Sequence, residues 1–321
     1  MQLVDRIGSR LKLRELHILL AVAERQSMAK AAHDLAVSQP VVSKTIADLE
    51  ATLGVRLLDR SRQGIVPTPY GRALLRRSFV AFDELREGVK EIEFLTKPTT
   101  GDVRVGALVG AVAGLLPAVI NQVRDRYPRF TIRVTQLLTS PAVYETLRER
   151  KVDFIIGRIL SRTHEKDLNV QVLFHEPLFI VTGAQSRWAS RRKIVIGDLL
   201  DEPWILPEPH TEVGSHVAAV FQRSKVEVPR AAVVSNALEM YWALLATGKF
   251  LTVLPPSVLH FSTQRPPIKV LPVKLPVQFR PYGVVTLKNR TLSPAAQIVI
   301  DCAREVAKPL GRQEKHGARR S

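Results

Sequence analysis

The sequence predicts a chain of two parts: an all-α N-terminal domain that continues into a long helix, and an α/β domain built from two lobes. From residue 12 to 58, and again from 70 to 95, apolar residues recur at spacings of three and four, the period of amphipathic helices. After residue 102, short β-type runs alternate with helical stretches, which favours largely parallel sheets covered by helices. About 220 residues is long for one sheet, so we expect two α/β lobes.

Two short helices joined by a tight turn lie near the N-terminus. Ser27 precedes the first helix, "MAKAAHDLA", as its N-cap, and "VSQP" makes the turn. The second helix starts after Ser38, has Pro40 in its first turn and ends at Gly54. Its apolar side holds Val42, Ile46 and Leu49, and three hydrogen-bonding residues lie on the other side of its first turns: Gln39, Ser43 and Lys44.

A third helix ahead of this pair completes the pattern of a helix-turn-helix, whose second helix enters the major groove of DNA. Gln39 can donate to and accept from adenine, Lys44 can reach guanine or a phosphate, and Ser43 can serve either purpose. The polar first turns therefore predict a DNA-reading surface. A generic three-helix bundle with a solvated polar face has the same spacing, and on spacing alone it stays open.

Positive charge is concentrated beside this motif. Extended runs at Val55–Leu58 and Ile65–Pro67 flank a turn at Ser61–Gly64, which predicts a small hairpin suited to a wing. Between residues 56 and 77 there is one acid, Asp59, against six arginines: Arg56, Arg60, Arg62, Arg72, Arg76 and Arg77. The formal net charge of +17 and the pI near 10.4 favour a polyanionic partner, and the position of the charge favours DNA.

The long helix predicted over 70–95 carries a narrow apolar stripe. The stripe consists of Leu74, Leu75, Phe79, Phe82, Leu85, Val89, Ile92 and Leu95. A long helix with such a stripe usually pairs with another helix. The segment "TKPTTGD" that follows is typical of a linker, and the polar, basic end "GRQEKHGARRS" predicts disorder.

The cysteine content and the apolar runs of the sequence also indicate the cellular compartment. A single cysteine, Cys302, excludes an internal disulfide framework and fits a reducing environment. The N-terminus lacks the apolar core of a signal peptide, and the longest apolar run, at 107–120, is shorter than the ~20 residues that span a bilayer. We therefore expect a soluble, cytoplasmic protein with no membrane partner.

Loops that follow strands of the α/β domain form the expected ligand site. Ligands of open α/β folds bind beyond the carboxyl ends of the strands, and between two lobes such ends share a cleft. The candidate binding residues lie in or beside these loops: Val109, Gly110, Thr139, Ser140, Arg158, Pro207, Ser235 and Asn236. These groups suit a sugar or an organic acid. A capping role for the serines and a surface role for Arg158 remain open.

Catalytic motifs are missing from the sequence. The pattern G-x-S-x-G is absent, "HEPLF" lacks the second histidine of a zinc-protease helix, and the eight histidines have no ligand spacing. The glycines of "GALVGAVAG" do not match the dinucleotide fingerprint. We therefore expect no enzyme activity, no catalytic residue, no metal site and no cofactor.

Residues 12 to 76 carry the arrangement AAxxLxVSQPxxSxxIxxLExxLGxxLxxRxxxGxxxTxxG, which resembles the DNA-binding domain of LysR-type transcriptional regulators. Within that family the chain is most similar to regulators of sugar-binding-protein and aromatic-acid catabolic operons. The resemblance implies a winged helix-turn-helix, a dimerising linker helix and a two-lobed effector-binding domain like periplasmic binding proteins. It also implies homotetramers, assembled as dimers of dimers, that bend double-stranded promoter DNA and act with RNA polymerase.

The resemblance places DNA contacts on the second helix, the turns around it and the hairpin. Carried over by position, they are Ser27, Ser38, Gln39, Pro40, Ser43, Lys44, Arg60, Arg62 and Thr68. The family often has arginine at position 44, and lysine lacks the planar fork, so we expect softer base discrimination there.

The domain boundaries follow from the same reading. The predicted parts are a winged helix-turn-helix domain at 1–69, a dimerising linker helix at 70–96, a hinge at 97–102, an effector-binding domain at 103–310 and a disordered basic tail at 311–321. Lobe I takes 103–165 and 275–310, and lobe II takes 166–274. The predicted function is a sequence-specific transcriptional regulator controlled by a small-molecule effector. The alternative is an effector-independent, sequence-tolerant DNA binder of the nucleoid type.

Overall fold

The computed structural model describes residues 11–61, 64–140, 142–160, 165–261, 265–276 and 279–317. The chain divides into two compact units, Met1–Gly88 and Val89–Ser321. The helical unit and the α/β unit each have their own hydrophobic core. The predicted division into a helical part and an α/β part is therefore confirmed.

The first unit is a helix-turn-helix followed by a hairpin. Its elements are α1 (Leu13–Arg25), α2 (Met28–Asp34), α3 (Gln39–Leu53), β1 (Leu58–Ser61), β2 (Gly64–Pro67) and the start of α4 (Pro69–Thr96). The core holds Ile18, Leu19 and Val22 of α1, Ala31 and Ala32 of α2, and Val42, Ile46 and Leu49 of α3. Gly54 ends α3 at φ +70°, as the sequence predicts, because a residue with a side chain is strained there.

The hairpin is joined tightly to the helices. The Glu50 carboxylate, on α3, accepts hydrogen bonds from the backbone N–H groups of Leu57, at 2.6 Å, and Leu58, at 3.1 Å. The N–H of Ile65 donates to the carbonyl of Gln26 at 3.0 Å. The hairpin is thereby held against the second helix of the motif. The first strand begins at Leu58, where pairing with Pro67 starts, three residues later than the sequence predicts.

The second unit contains two sheets. In chain order its elements are β3 (Thr100–Leu108), α5 (Val109–Ala113), α6 (Leu115–Arg126), β4 (Arg129–Leu137), α7 (Glu145–Arg148), β5 (Phe154–Arg158), β6 (Leu168–Glu176), β7 (Phe179–Gly183), β8 (Trp204–Leu206), α8 (Glu212–Arg223), β9 (Ala231–Val234), α9 (Leu238–Leu245), β10 (Leu251–Leu254), α10 (Pro256–Phe261), β11 (Ile268–Val270), β12 (Arg280–Leu287) and α11 (Pro294–Gly317). Helices cover both faces of each sheet.

The strand order defines the two lobes. Lobe I has the order β4-β3-β5-β12-β6, and lobe II has the order β11-β7-β10-β8-β9. Strands β3, β4 and β5 run parallel, whereas β12 pairs antiparallel with β5 and β6. In lobe II, β8 runs parallel to β9 and β10, whereas β7 is antiparallel to β10 and β11. Both sheets are therefore mixed rather than largely parallel.

Three predicted boundaries differ from the structure. The sequence predicts β6 in lobe II, but its pairing with β12 places residues up to Glu176 in lobe I. Strand β3 begins at Thr100, inside the expected hinge at 97–102, because its first residues already pair with Arg129 and Phe130. Helix α11 continues to Gly317, so residues 311–317 of the expected disordered tail are helical. Helix formers such as Gln313 and Lys315 favour that extension.

Candidate functional site: a polar helix edge and an interlobe cavity

The first turns of α3 present their polar residues to solvent. Ser38, Gln39, Pro40 and Lys44 are exposed, and Ser43 is half-buried. The apolar side of the same helix is completely buried, with Val42, Ile46 and Leu49 in the core. The helix therefore offers the hydrogen-bonding edge that the sequence predicts. Ser38 occupies the N-cap position, although its side chain makes no capping bond.

The structure describes only part of the hairpin residues that were predicted to contact DNA. Arg60 lies on β1, but its side chain is outside the described residues, as is all of Arg62. Among the neighbouring arginines, Arg56, Arg76 and Arg77 are exposed. These three side chains confirm that positive charge is available around the hairpin.

Two predicted DNA contacts act as helix caps. The Ser27 hydroxyl accepts from the N–H of Lys30 at 3.3 Å and is half-buried. The Thr68 hydroxyl is buried, donates to the carbonyl of Arg56 at 2.7 Å and accepts from the N–H of Gly71 at 3.0 Å. Because Thr68 is used within the protein, the structure favours a structural role for it over the expected contact with the DNA backbone.

We expect Thr68→Ala to lower the free energy of unfolding by about 0.5–2 kcal/mol, the usual loss when a helix cap is removed. Thr68→Ser keeps the hydroxyl and is the matched control, with near-normal stability. Urea unfolding followed by far-UV circular dichroism measures both. Loss of DNA affinity in Thr68→Ala at unchanged stability would instead support a direct DNA contact.

A cavity of about 330 Å³ lies between the two lobes of the second unit. It opens beyond the carboxyl ends of β3, β4 and β5 in lobe I and of β8, β9 and β10 in lobe II. Its walls are mainly apolar and include Leu138, Leu160, Leu178, Val213, Val217, Val253 and Leu254. The parallel strands of both lobes thus deliver their loops to one site, as in other open α/β folds.

The structure brings together all but one of the predicted ligand-binding residues. Val109, Gly110, Thr139, Ser140, Arg158, Pro207 and Asn236 line the cavity. Ser235 is absent from the lining, because its hydroxyl accepts from the N–H of Ala237 at 3.1 Å and stabilises its own turn. Thr211 caps α8 through the N–H of Gly214 and also reaches the cavity wall.

Sequence reasoning missed four polar residues of the cavity: Glu176, Tyr241, Ser257 and Tyr282. Glu176 ends β6, and Tyr282 lies on β12 directly opposite Arg158 of β5. These positions depend on pairing between strands that are far apart in the sequence. The position of Glu176 at the end of "LFHE" was a usable local signal, because it follows a β-type run.

Arg158 is the central charge of the cavity. Its guanidinium lies 2.5 Å from Nδ1 of His216 and 3.8 Å from the carboxylate of Glu176. Burial, together with the positive charges of Arg158 and Arg280, lowers the pKa of His216 to about 3. The imidazole is therefore neutral. Because arginine can only donate, Nδ1 accepts, and the proton of His216 is on Nε2.

Glu176 is a buried acid that lies close to both Arg158 and Ser257. Burial raises its pKa, and the positive charge of Arg158 and the bond from Ser257 partly oppose that rise. The backbone N–H of Ser257 donates to the carboxylate at 3.1 Å. At 3.8 Å, Arg158 attracts this carboxylate without hydrogen bonding to it.

The buried hydroxyl of Tyr282 has no hydrogen-bond partner among the described residues. Tyr282 is stacked on Phe174, with ring centroids 4.7 Å apart, so its ring is fixed. A buried polar group without a partner costs free energy, and a bound ligand can supply the partner. By contrast, the Tyr241 hydroxyl donates to the carbonyl of Ser235 at 2.7 Å.

The described ranges hold neither a metal cluster nor a membrane-spanning helix. No group of three or more His, Cys, Asp or Glu side chains lies close enough there to hold a metal ion. No helix in the same ranges combines the length and the apolar content needed to cross a bilayer.

Two family models match the chain. Residues 13–72 match the bacterial regulatory helix-turn-helix protein of the lysR family, and residues 96–308 match the LysR substrate binding domain. The first match covers α1 to the start of α4, and the second covers both lobes.

Curated relatives and solved structures agree with these matches. The transcriptional regulator GbpR of Azospirillum brasilense is 29% identical over 299 residues, 93% of this chain and 87% of that protein. TdcA of Escherichia coli K12 is 27% identical, covering 92% and 93%. A full-length OxyR variant of Pseudomonas aeruginosa superposes with a TM-score of 0.66 at 25% identity, covering 93% and 97%. CbnR complexed with its target DNA gives 0.51 at 23% identity, covering 92% and 100%.

Proposed function

This chain belongs to the LysR family of transcriptional regulators, and we propose that it reads a specific promoter sequence with α3 and responds to a small molecule bound between its lobes. The exposed polar edge of α3, opposite a completely buried apolar side, is the single observation that carries the DNA-reading part. Gln39 reads a base edge, Lys44 reads a base or holds a phosphate, and Ser38 and Ser43 support them. The wing arginines Arg60 and Arg62 hold phosphates.

The interlobe cavity is the proposed effector site. Residues of both lobes line it, so a ligand held there favours one arrangement of the lobes over another. A ligand shifts such an equilibrium only by its difference in affinity for the two arrangements. The change would reach promoter DNA through the spacing of the DNA-binding domains in an oligomer.

The assembly and the partners belong to the same proposal. Helix α4 exposes Leu85, Val89, Ile92 and Leu95, which supports pairing with a second copy of the chain. A dimer of dimers that bends DNA, and contact with RNA polymerase, follow the family resemblance. We also propose that the protein acts by binding rather than by catalysis, which the match to regulatory helix-turn-helix proteins and the regulator GbpR supports.

Selection of duplexes from a random DNA pool by the full-length protein tests this function. We expect one enriched operator, bound about 10³-fold or more tightly than unrelated DNA. A pool that stays random would favour the sequence-tolerant, nucleoid-type alternative.

Effector control needs its own measurement. Binding and bending of the selected operator are compared with and without a panel of sugars and organic acids. We expect at least one compound to raise the melting temperature and to change the bend angle. A bend angle that stays the same with every compound that raises the melting temperature would reject control through the DNA geometry.

A further inference from the structure

The interlobe cavity separates its polar groups from its apolar walls. Arg158, Glu176, Ser257 and Tyr282 lie together, because β5, β6 and β12 are neighbours in lobe I and α10 contacts Glu176. The opposite walls come mainly from leucine and valine side chains of both lobes. A ligand that fits both regions has one charged or polar end and an apolar body.

The guanidinium of Arg158 is available for a ligand. Among the described residues, its hydrogen bond goes to neutral His216, and the Glu176 carboxylate stays 3.8 Å away. A neutral imidazole holds the guanidinium in place without neutralising it. The remaining N–H groups can therefore form the paired, charge-assisted bonds that arginine makes with carboxylates.

The position of Glu176 favours a ligand with a single negative charge. Its carboxyl group is buried and lies 3.8 Å from the guanidinium of Arg158. A monoanion brings one negative charge to the guanidinium, whereas a dianion such as phosphate would place a second negative charge beside a buried acid.

The buried hydroxyl of Tyr282 completes the site. Tyr282 faces Arg158 across the β5–β12 pair, so the two side chains lie on the same face of the sheet. The Tyr282 hydroxyl is buried and has no partner among the described residues. An oxygen atom of a bound ligand would accept from it.

We propose that the effector is a small monocarboxylate with an apolar body, whose carboxylate binds Arg158 and accepts a hydrogen bond from Tyr282. This inference rests on the proposed function, since it assumes that the interlobe cavity is the effector site. Sugars fit the site less well, because the leucines and valines of the walls leave most sugar hydroxyls without partners.

Calorimetric titration of the full-length protein tests the ligand class with matched probes. Hexanoate and phenylacetate are compared with hexanamide, phenylacetamide, inorganic phosphate and galactose. We expect both acids to bind at least about tenfold more tightly than their amides, because the amides cannot form the charge-assisted pair. Amides or galactose that bind as tightly as the acids, phosphate that binds more tightly, or no binding by either acid would overturn the proposal.

Two tyrosine variants test the assigned hydrogen bond. Tyr282→Phe removes a hydroxyl that has no partner in the described protein, so its melting temperature should stay the same while hexanoate affinity falls about fivefold. Tyr127→Phe, at a half-buried tyrosine of lobe I that does not line the cavity, is the control and should leave hexanoate affinity unchanged. Equal hexanoate affinity in Tyr282→Phe and the parent protein would contradict the assignment.

Arg158→Gln removes the charge that binds the carboxylate, so hexanoate affinity should fall at least about tenfold. Arg133→Gln, at an exposed ion pair of the same lobe, is the control and should bind like the parent. If Arg158→Gln unfolds, Tyr282→Phe still decides the proposal.

The ligand class and the proposed function can fail separately. If neither acid binds while another compound changes the DNA bend, the ligand class is wrong and the proposed function stands. A bend angle that stays the same with every compound that raises the melting temperature would instead reject the proposed effector control.

Discussion

Replacing Asp153 by alanine is expected to lower the free energy of unfolding of the second unit by about 3–5 kcal/mol, because it removes a buried carboxylate that two arginine side chains share. The carboxylate is buried and accepts from the guanidinium groups of Arg104, at 2.7 Å, and Arg290, at 2.8 Å. It also accepts from the backbone N–H of Arg104 at 2.8 Å. One side chain thus joins β3, the start of β5 and the segment after β12.

Urea unfolding followed by tryptophan fluorescence measures this loss, since all three tryptophans, Trp188, Trp204 and Trp242, lie in the second unit. Asp102→Ala is the matched control. Asp102 pairs with Arg133 on the same sheet, but both side chains are largely exposed, so the expected loss is within about 1 kcal/mol. Equal losses in the two variants would show that burial of the Asp153 network contributes little.

The contribution of Asp153 to the free energy of unfolding also depends on pH. Burial alone would raise the pKa of Asp153, but the hydrogen bonds from Arg104 outweigh burial and hold it below its ordinary 3.8. A carboxyl group with a lowered pKa in the folded state stabilises the protein fully above its unfolded value. The stability difference between the parent and Asp153→Ala should therefore be constant near neutral pH and shrink as the pH falls below that value. If this stability difference grew as the pH was lowered, the proposed stabilisation by the Asp153 carboxylate would be wrong.

The helix-turn-helix could be predicted from sequence because its determinants are local. Ser27 caps α2, Gly54 ends α3 and the spacing of Val42, Ile46 and Leu49 fixes the buried side. The cavity loops were predictable for a similar reason, since each follows directly from a strand.

The rest of the cavity depends on distant parts of the chain. Tyr282 reaches Arg158 only because β12 inserts between β5 and β6, and more than one hundred residues separate them in the sequence. The same insertion makes the sheet mixed and moves the lobe boundary to Glu176. No hydrophobic period records which strand pairs with which, so this part of the site required the structure.

Gln39 and the wing arginines are expected to contribute to DNA binding in different ways. Gln39 is exposed at the first position of α3, where side chains of the second helix meet base edges. Arginines of the wing carry charge to the phosphates, which are the same in every sequence. The two kinds of contact can be separated by measuring affinity for many sequences and at several salt concentrations.

Gln39→Ala should weaken binding to the selected operator by about 1–3 kcal/mol, which is about 5- to 150-fold, and remove the preference at one base pair. Arg62 lies outside the described residues, and its predicted role rests on its charge. Arg62→Ala should weaken binding to all sequences alike and reduce the salt slope by about one. Gln222→Ala, an exposed glutamine of lobe II, is the control and should bind like the parent. Fluorescence anisotropy with the operator and its single-base variants measures all three. If Gln39→Ala weakened every sequence by the same factor, Gln39 would hold the DNA backbone, and the polar edge of α3 would position the protein without reading the sequence.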